Sequence, residues 1–315
     1  MRYGVVFPGQ GSQTVGMGAG LVESFAAARD LFERAERVLG YDLLAIIRDG
    51  PEDRLRETRY SQPAIYTINY ALAVAAGPEL AVVASAGHSF AEYCSLTLAG
   101  ALEFEAALDL VARRGAAMQE AANLAPGAMS AVLALDEQPL RDICAKVRAE
   151  GLGRVQLANF NAPGQIVISG DRDAVIAAGD LALAAGAKRV VPLNVSGAWH
   201  SELMAPARER FAPFVQRAEI RLPRFTVVSN VDARPYASVD AIRENLIRSV
   251  TEEVLWHDAA LRLVAEGLDA IVEFGGSAVL APMMKRVPDA PPAKFVGDAA
   301  GVEKLRASLG SGAPV

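Results

Sequence analysis

Residues 80–86, Leu-Ala-Val-Val-Ala-Ser-Ala, form a short apolar run that ends without a linker at Gly87-His88-Ser89 and passes at once into the helix-like segment 90–98. A strand that bends directly into a helix needs small residues at the bend, and it leaves the bend residue exposed at the edge of a sheet. Gly87-His88-Ser89-Phe90-Ala91 approximates the G-x-S-x-G nucleophile elbow, with Ala91 in place of the last glycine. The pentapeptide alone is weak, but here it sits between an apolar strand and a helix, as such an elbow demands. The helix start also offers oriented N–H groups and partial positive charge to a developing oxyanion. The alternative role for Ser89 is to cap the helix.

The rest of the chain repeats this alternation. Residues 3–7 run into Pro8-Gly9-Gln10-Gly11-Ser12-Gln13, followed by a helix-like segment over 21–39. Strands alternating with helices predict an α/β fold with a mainly parallel sheet covered on both faces. From about Gly127 the pattern changes to strand 129–135, helix 138–149, strand 155–159, a turn at Ala162-Pro163-Gly164, strand 165–169, helix 172–185 and strand 189–195. That βαββαβ order is ferredoxin-like. It predicts a small domain over 126–193 inserted into a core made of 1–125 and 194–315. Helices around 206–217, 239–249 and 256–265 and strands at 225–229 and 270–274 return to the first pattern, and the tail after Leu309 reads as loose.

With 315 residues, 52% of them apolar and 22% charged, the chain can bury a sizeable core. Its net charge of -6 argues against a broad basic footprint for nucleic acid or an anionic membrane. The longest uncharged stretch, 60–78, contains Ser61, Gln62, Pro63, Thr67 and Asn69 and reads as soluble rather than membrane-spanning. The N-terminus has no signal-peptide pattern, and Cys94 and Cys144 form neither a metal spacing nor a disulfide framework, which predicts a reducing cytoplasm. No metal and no cofactor are expected. Gly9 and Gly11 do not open a dinucleotide site, because Thr14 stands at the sixth position of G-x-G-x-x-G and no P-loop lysine follows.

A serine nucleophile needs a base, and there are three histidines, His88, His200 and His257. His88 adjoins Ser89 across a sharp turn and is poorly placed to reach its hydroxyl. His257 follows Trp256 at a helix start, where packing or capping is its expected role. His200 lies in the small-residue loop Ser196-Gly197-Ala198-Trp199-His200-Ser201 and is the best candidate.

Taken together, Phe7-Pro8-Gly9-Gln10-Gly11-Ser12-Gln13, the Gly87-His88-Ser89 elbow with Glu92-Tyr93, Arg114-Gly115 with Met118-Gln119, Asn159 with Asn161-Ala162-Pro163-Gly164-Gln165, and the His200 loop resemble the malonyl-CoA:acyl carrier protein transacylase family. The likeness runs in order from residue 3 to about 286. It implies a hydrolase-like α/β core with a ferredoxin-like insert, and an enzyme that passes malonyl from coenzyme A to an acyl carrier protein through an ester on Ser89. It also implies His200 as the base, Gln10 and the backbone N–H of Phe90 around the oxyanion, and the Ser249 carbonyl orienting the histidine. Arg114 would hold the free malonyl carboxylate, because a planar guanidinium can pair with a carboxylate through two parallel hydrogen bonds. Gln62 and Asn161 complete the implied substrate-binding set. Trp199, where many relatives have a smaller residue, would crowd the α-carbon of the acyl group and favour unbranched malonyl.

Two further departures stand out. Arg248-Ser249-Val250 replaces an Arg-Gln-Leu string, and Phe274-Gly275-Gly276-Ser277 replaces a Gly-Pro-Gly turn to which the sequence assigns no function. The partners expected are malonyl-CoA and an acidic carrier protein, with Lys188-Arg189 and Lys285-Arg286 as candidate docking cations and the chain acting as a monomer. The alternatives are a trans-acting polyketide acyltransferase moving an unusual acyl group between carrier proteins, a serine thioesterase or hydrolase, and a non-catalytic docking module. Arg114 disfavours a hydrolase, which has no general need for a carboxylate clamp.

Overall fold

The computed structural model describes residues 1–311. Its strands are β1 (Tyr3–Phe7), β2 (Val82–Gly87), β3 (Gly127–Leu133), β4 (Val155–Ala162), β5 (Gln165–Asp171), β6 (Arg189–Pro192), β7 (Thr226–Val228), β8 (Ala270–Phe274) and β9 (Ala293–Val296). One sheet has the order β7-β2-β1-β8-β9, and every pairing in it is parallel. β1 and β8 are buried along their whole length, because helices cover both faces, and so they do not alternate; the one charged residue in them, Glu273, accepts hydrogen bonds from the Val279, Leu280 and Ala281 amides. β1 lies between β2 and β8, and Phe7 pairs with Gly87, so the loops after β1 and β2 leave the same edge side by side. A crevice at that edge is the usual ligand site of such sheets.

The second sheet has the order β4-β5-β3-β6, all antiparallel, backed by helices Glu137–Ala149 and Arg172–Ala184. This is the pairing a βαββαβ unit adopts. It has an apolar core of its own, including Val132, Leu140, Val147, Leu157, Ile168 and Val175. Main chain joins the small sheet to the segment before the helix Trp256–Val264: Phe160 N–H donates to the Val254 carbonyl and Val254 N–H to the Ala158 carbonyl, each at 2.8 Å. Arg141 adds a two-pronged pair with Glu253 (2.8 and 2.9 Å). Arg286 also belongs to this seam, donating to the Pro163 carbonyl and to Gln165. Its guanidinium is therefore committed to the β4–β5 turn, although Arg286 is exposed, as are Lys188, Arg189 and Lys285.

The helical pattern over 21–39 breaks at Phe25, whose extended backbone (φ -124°, ψ 113°) divides it into Leu21–Ser24 and Ala26–Leu39. The uncharged stretch 60–78 falls mostly in the buried helix Thr58–Ala76, and among the described residues no helix is long and apolar enough to cross a membrane. β9 and the helix Ala299–Ser311 go beyond the sequence reading. β9 is an edge strand buried at only one of its four residues, so its apolar signature is faint. The loose tail expected after Leu309 begins inside that last helix, and 312–315 lie outside the described residues.

Candidate active site

At the end of β2 the chain turns so tightly that a Cβ on Gly87 would lie 2.1 Å from the Ala91 backbone, which only glycine avoids. Ser89 then adopts φ 56°, a left-handed conformation that costs a non-glycine residue about 1–3 kcal/mol and persists only where its surroundings impose it. His200, in the loop after β6, is likewise left-handed at φ 57°. The two side chains meet with Ser89 Oγ 2.8 Å from His200 Nε2, and both residues are buried. His200 Nδ1 donates to the Glu252 carbonyl at 3.1 Å, which leaves Nε2 as the acceptor for the serine proton.

That orienting bond corrects the expectation for Ser249. The helix Val239–Arg248 ends in a turn in which the Thr251 and Glu252 amides both bond back to Arg248, and this brings the Glu252 carbonyl under the ring. Ser249's carbonyl makes a lesser contribution. Burial pushes the His200 imidazole down to about 3, and the positive field of Arg114, then His88, acts in the same direction. The imidazole is thus held neutral.

Ser89 and His200 open on a cavity of about 180 Å³ that Gln10, Gln62, Arg114, Asn161 and Trp199 also line. Phe90 and Ser249 are buried outside this lining. Arg114, on the helix Phe104–Leu124, is 1% exposed. Its Nη1 donates to Gln62 Oε1 at 3.1 Å, while Nε and Nη2 have no partner among the described residues. Burial pushes the group down to about 10, against the pull of Tyr93 and Glu92. A buried cation with unmet donors is costly in an empty site and is compensated by an anion.

The other expected residues hold narrower positions. Gln10 Nε2 donates to Thr58 Oγ1 (3.1 Å), which leaves its second amide hydrogen for the cavity. Gln62 positions the arginine. Asn161 Oδ1 lies 2.9 Å from His88 Nε2, so its carboxamide oxygen is engaged with His88. That bond, and the Trp256 ring 5.7 Å away, hold His88 away from the serine hydroxyl. His257, in the first turn of the helix Trp256–Val264, is not part of the cavity lining. The unassigned Gly275-Gly276-Ser277 turn has a packing role: a Cβ on Gly275 would meet Pro8 at 2.3 Å, and Ser277 Oγ donates to the Ser12 carbonyl (3.0 Å). It buttresses the loop that carries Gln10.

Sequence reasoning overlooked a buried polar cluster behind the elbow. Glu92 accepts hydrogen bonds from the Tyr236 hydroxyl and from Asn230, and Asn230 reaches the Ser89 backbone. Burial raises the Glu92 carboxyl to about 7, opposed by those hydrogen bonds. A charged residue inside the otherwise uncharged segment 90–98 was the available signal; Asn230 carried none. Among the described residues no cluster of His, Cys, Asp and Glu could hold a metal ion.

Residues 5–305 match the acyl transferase domain family. The malonyl CoA-acyl carrier protein transacylase of Escherichia coli (strain K12) is 40% identical over 292 residues, covering 91% of this chain and 93% of the relative. An acyl carrier protein S-malonyltransferase from Vibrio cholerae superposes with a TM-score of 0.90 at 37% identity, over 97% of this chain and 100% of the other. A malonyl-transacylase solved in complex with its type II PKS acyl-carrier protein superposes with a TM-score of 0.92 at 38% identity, over 98% and 100%.

Proposed function

The chain belongs to the acyl transferase domain family, and on that premise we propose that it moves malonyl from coenzyme A to the phosphopantetheine thiol of an acyl carrier protein. The observation that carries this reading is Arg114: a buried guanidinium with two unpartnered nitrogens lines the cavity into which the Ser89–His200 pair opens. An acyl group that ends in a carboxylate supplies the missing anion, whereas a neutral acyl group leaves the cation unpaired.

Ser89 Oγ attacks the thioester carbonyl as His200 Nε2 takes its proton. The carbonyl oxygen gathers negative charge facing the Phe90 amide and Gln10. As the carbonyl re-forms, the C–S bond breaks and the histidine returns the proton to the departing coenzyme A sulfur, leaving malonyl as an ester on Ser89. The carrier thiol then repeats the sequence in reverse, giving its proton to His200 and releasing the serine. A thiol takes the acyl group in preference to water because the cavity is small and enclosed by Met118, Met129, Val167 and Trp199. Trp199 narrows the space beside the base and favours an unbranched α-carbon.

Ser89, His200 and Arg114 come from one chain, so a monomer suffices. Cys94 and Cys144, both buried free thiols, suit the reducing cytoplasm. Residues 126–193 act as the inserted wall of the cleft. The test is the intact mass after mixing with malonyl-CoA alone: one malonyl should be added, and Ser89→Ala should abolish it. Label on another residue would overturn the assignment.

A further inference from the structure

Ser89 keeps its left-handed backbone although nothing in its own side chain favours it. The cause lies on the neighbouring strand. β7 pairs with β2 so that Val228 faces Ala86, and two residues beyond Val228 the chain places Asn230 against the elbow, 1% exposed. Its carboxamide grips Ser89 at both ends: Oδ1 accepts from the Ser89 N–H at 3.1 Å, and Nδ2 donates to the Ser89 carbonyl at 3.0 Å. Nδ2 also donates to Glu92 Oε2 at 2.7 Å, and the Asn230 N–H approaches the same oxygen at 3.4 Å. The Tyr236 hydroxyl occupies the other Glu92 oxygen.

A flipped carboxamide would set oxygen against the carboxylate and against the Ser89 carbonyl, so Glu92 permits only one orientation. The Ser89 carbonyl and the Phe90 N–H belong to one planar peptide unit and point in opposite directions. Holding the carbonyl end therefore aims the amide end. We infer that Asn230, locked by Glu92, is the positioning residue of this active site, fixing with one clasp both the serine that attacks and the Phe90 amide that receives the oxyanion. The role of Phe90 rests on the proposed acyl transfer; the grip on Ser89 does not.

The two can be separated with a fluorophosphonate, which needs an activated serine and an oxyanion site but no carboxylate-bearing donor. Native protein should label at Ser89. Asn230→Ala and the near-isosteric Asn230→Asp should both slow labelling and malonyl transfer roughly 10²-fold, the scale of a small misplacement of reacting groups. Binding of a non-reacting thioether analogue of malonyl-CoA should hold, so the loss falls in kcat rather than KM. Glu92→Ala should show the same defect and Glu92→Gln recover most of it, since the amide oxygen still accepts from Asn230. Thermal unfolding midpoints identify any variant whose loss reflects unfolding, and Asn230→Asp keeps the test alive if Asn230→Ala does not fold. Native labelling with undiminished labelling of folded Asn230 variants overturns the clasp alone. Loss that tracks analogue binding also overturns it, and Glu92→Gln as impaired as Glu92→Ala overturns the lock. Absence of Ser89 labelling in the native protein overturns the acyl-transfer reading itself.

Discussion

The parallel sheet and the antiparallel sheet both face the cleft, but they furnish it in different ways. β1, β2 and β7 end at the cleft, and their contributions, Gln10, Ser89 and Asn230, lie two or three residues beyond the strand in tight turns. The small sheet contributes from within its strands: Met129 on β3, Asn159 and Asn161 on β4, whose register with β5 shifts beside each of them, and Val167 on β5 line the cavity. Period-two alternation divides its two faces, so that Val167 meets the cleft while Ile168 packs into the small sheet's own core. Chemistry that needs special backbone angles thus sits on turns held by a rigid sheet, and shape and exclusion of water come from a wall of paired strands.

This contrast predicts that damage on one side removes chemistry and damage on the other removes stability. The largest effect should come from His200→Ala, slowing Ser89 acylation about 10²- to 10⁴-fold, the usual range for loss of a general base. Stopped-flow or quenched acylation with malonyl-CoA checks it, and His257→Ala should retain the native rate. On the other side, Ile168→Ala should cost about 2–5 kcal/mol in denaturant unfolding, as for a large-to-small change in a packed core. It should leave the preference between malonyl-CoA and acetyl-CoA where it was; a changed preference would mean that the wall does more than enclose.

A subtler effect concerns pH. Burial, then Arg114, holds His200 neutral, because a nearby cation disfavours the imidazolium. Removing that cation favours the protonated ring, so the acid limb of fluorophosphonate labelling should move to higher pH in Arg114→Ala. A limb that stays or moves lower would show that burial alone sets the base. The smallest effect is expected at the seam: Arg286→Ala removes exposed bonds to the β4–β5 turn and should cost at most about 1 kcal/mol in thermal or denaturant unfolding.

How much of this is legible in the sequence depends on whether a residue's task leaves a local trace. The elbow does, because Gly87 must lack a side chain and an apolar strand must precede it. The alternating patterns give the two sheets, although some strand ends shift by up to three residues and the weakly buried β9 escapes. Ser89 and His200 can be matched because three histidines leave few choices, and the fold sets them 2.8 Å apart. The orienting carbonyl at Glu252 is not legible, since any residue supplies a carbonyl and only the turn after the Val239–Arg248 helix decides which one arrives. Asn230 is silent for a related reason: an asparagine after a strand ordinarily reads as a turn residue, and its partner lies 141 positions away. Arg114 beside Arg113 looks like a solvated pair until the fold buries one and pairs the other with Asp109.

The central claim is that Arg114 selects a carboxylated donor, and the most direct measurement is a competition between equal malonyl-CoA and acetyl-CoA, read by intact mass on enzyme and carrier protein. Native protein should take malonyl in strong preference. Arg114→Ala should lose malonyl transfer by about 2 to 5 kcal/mol more than acetyl transfer, the range seen when one member of a buried charge pair is truncated, with Arg114→Lys recovering only part. A native preference for the neutral donor, or an Arg114→Ala variant that keeps the native ratio, would contradict the account.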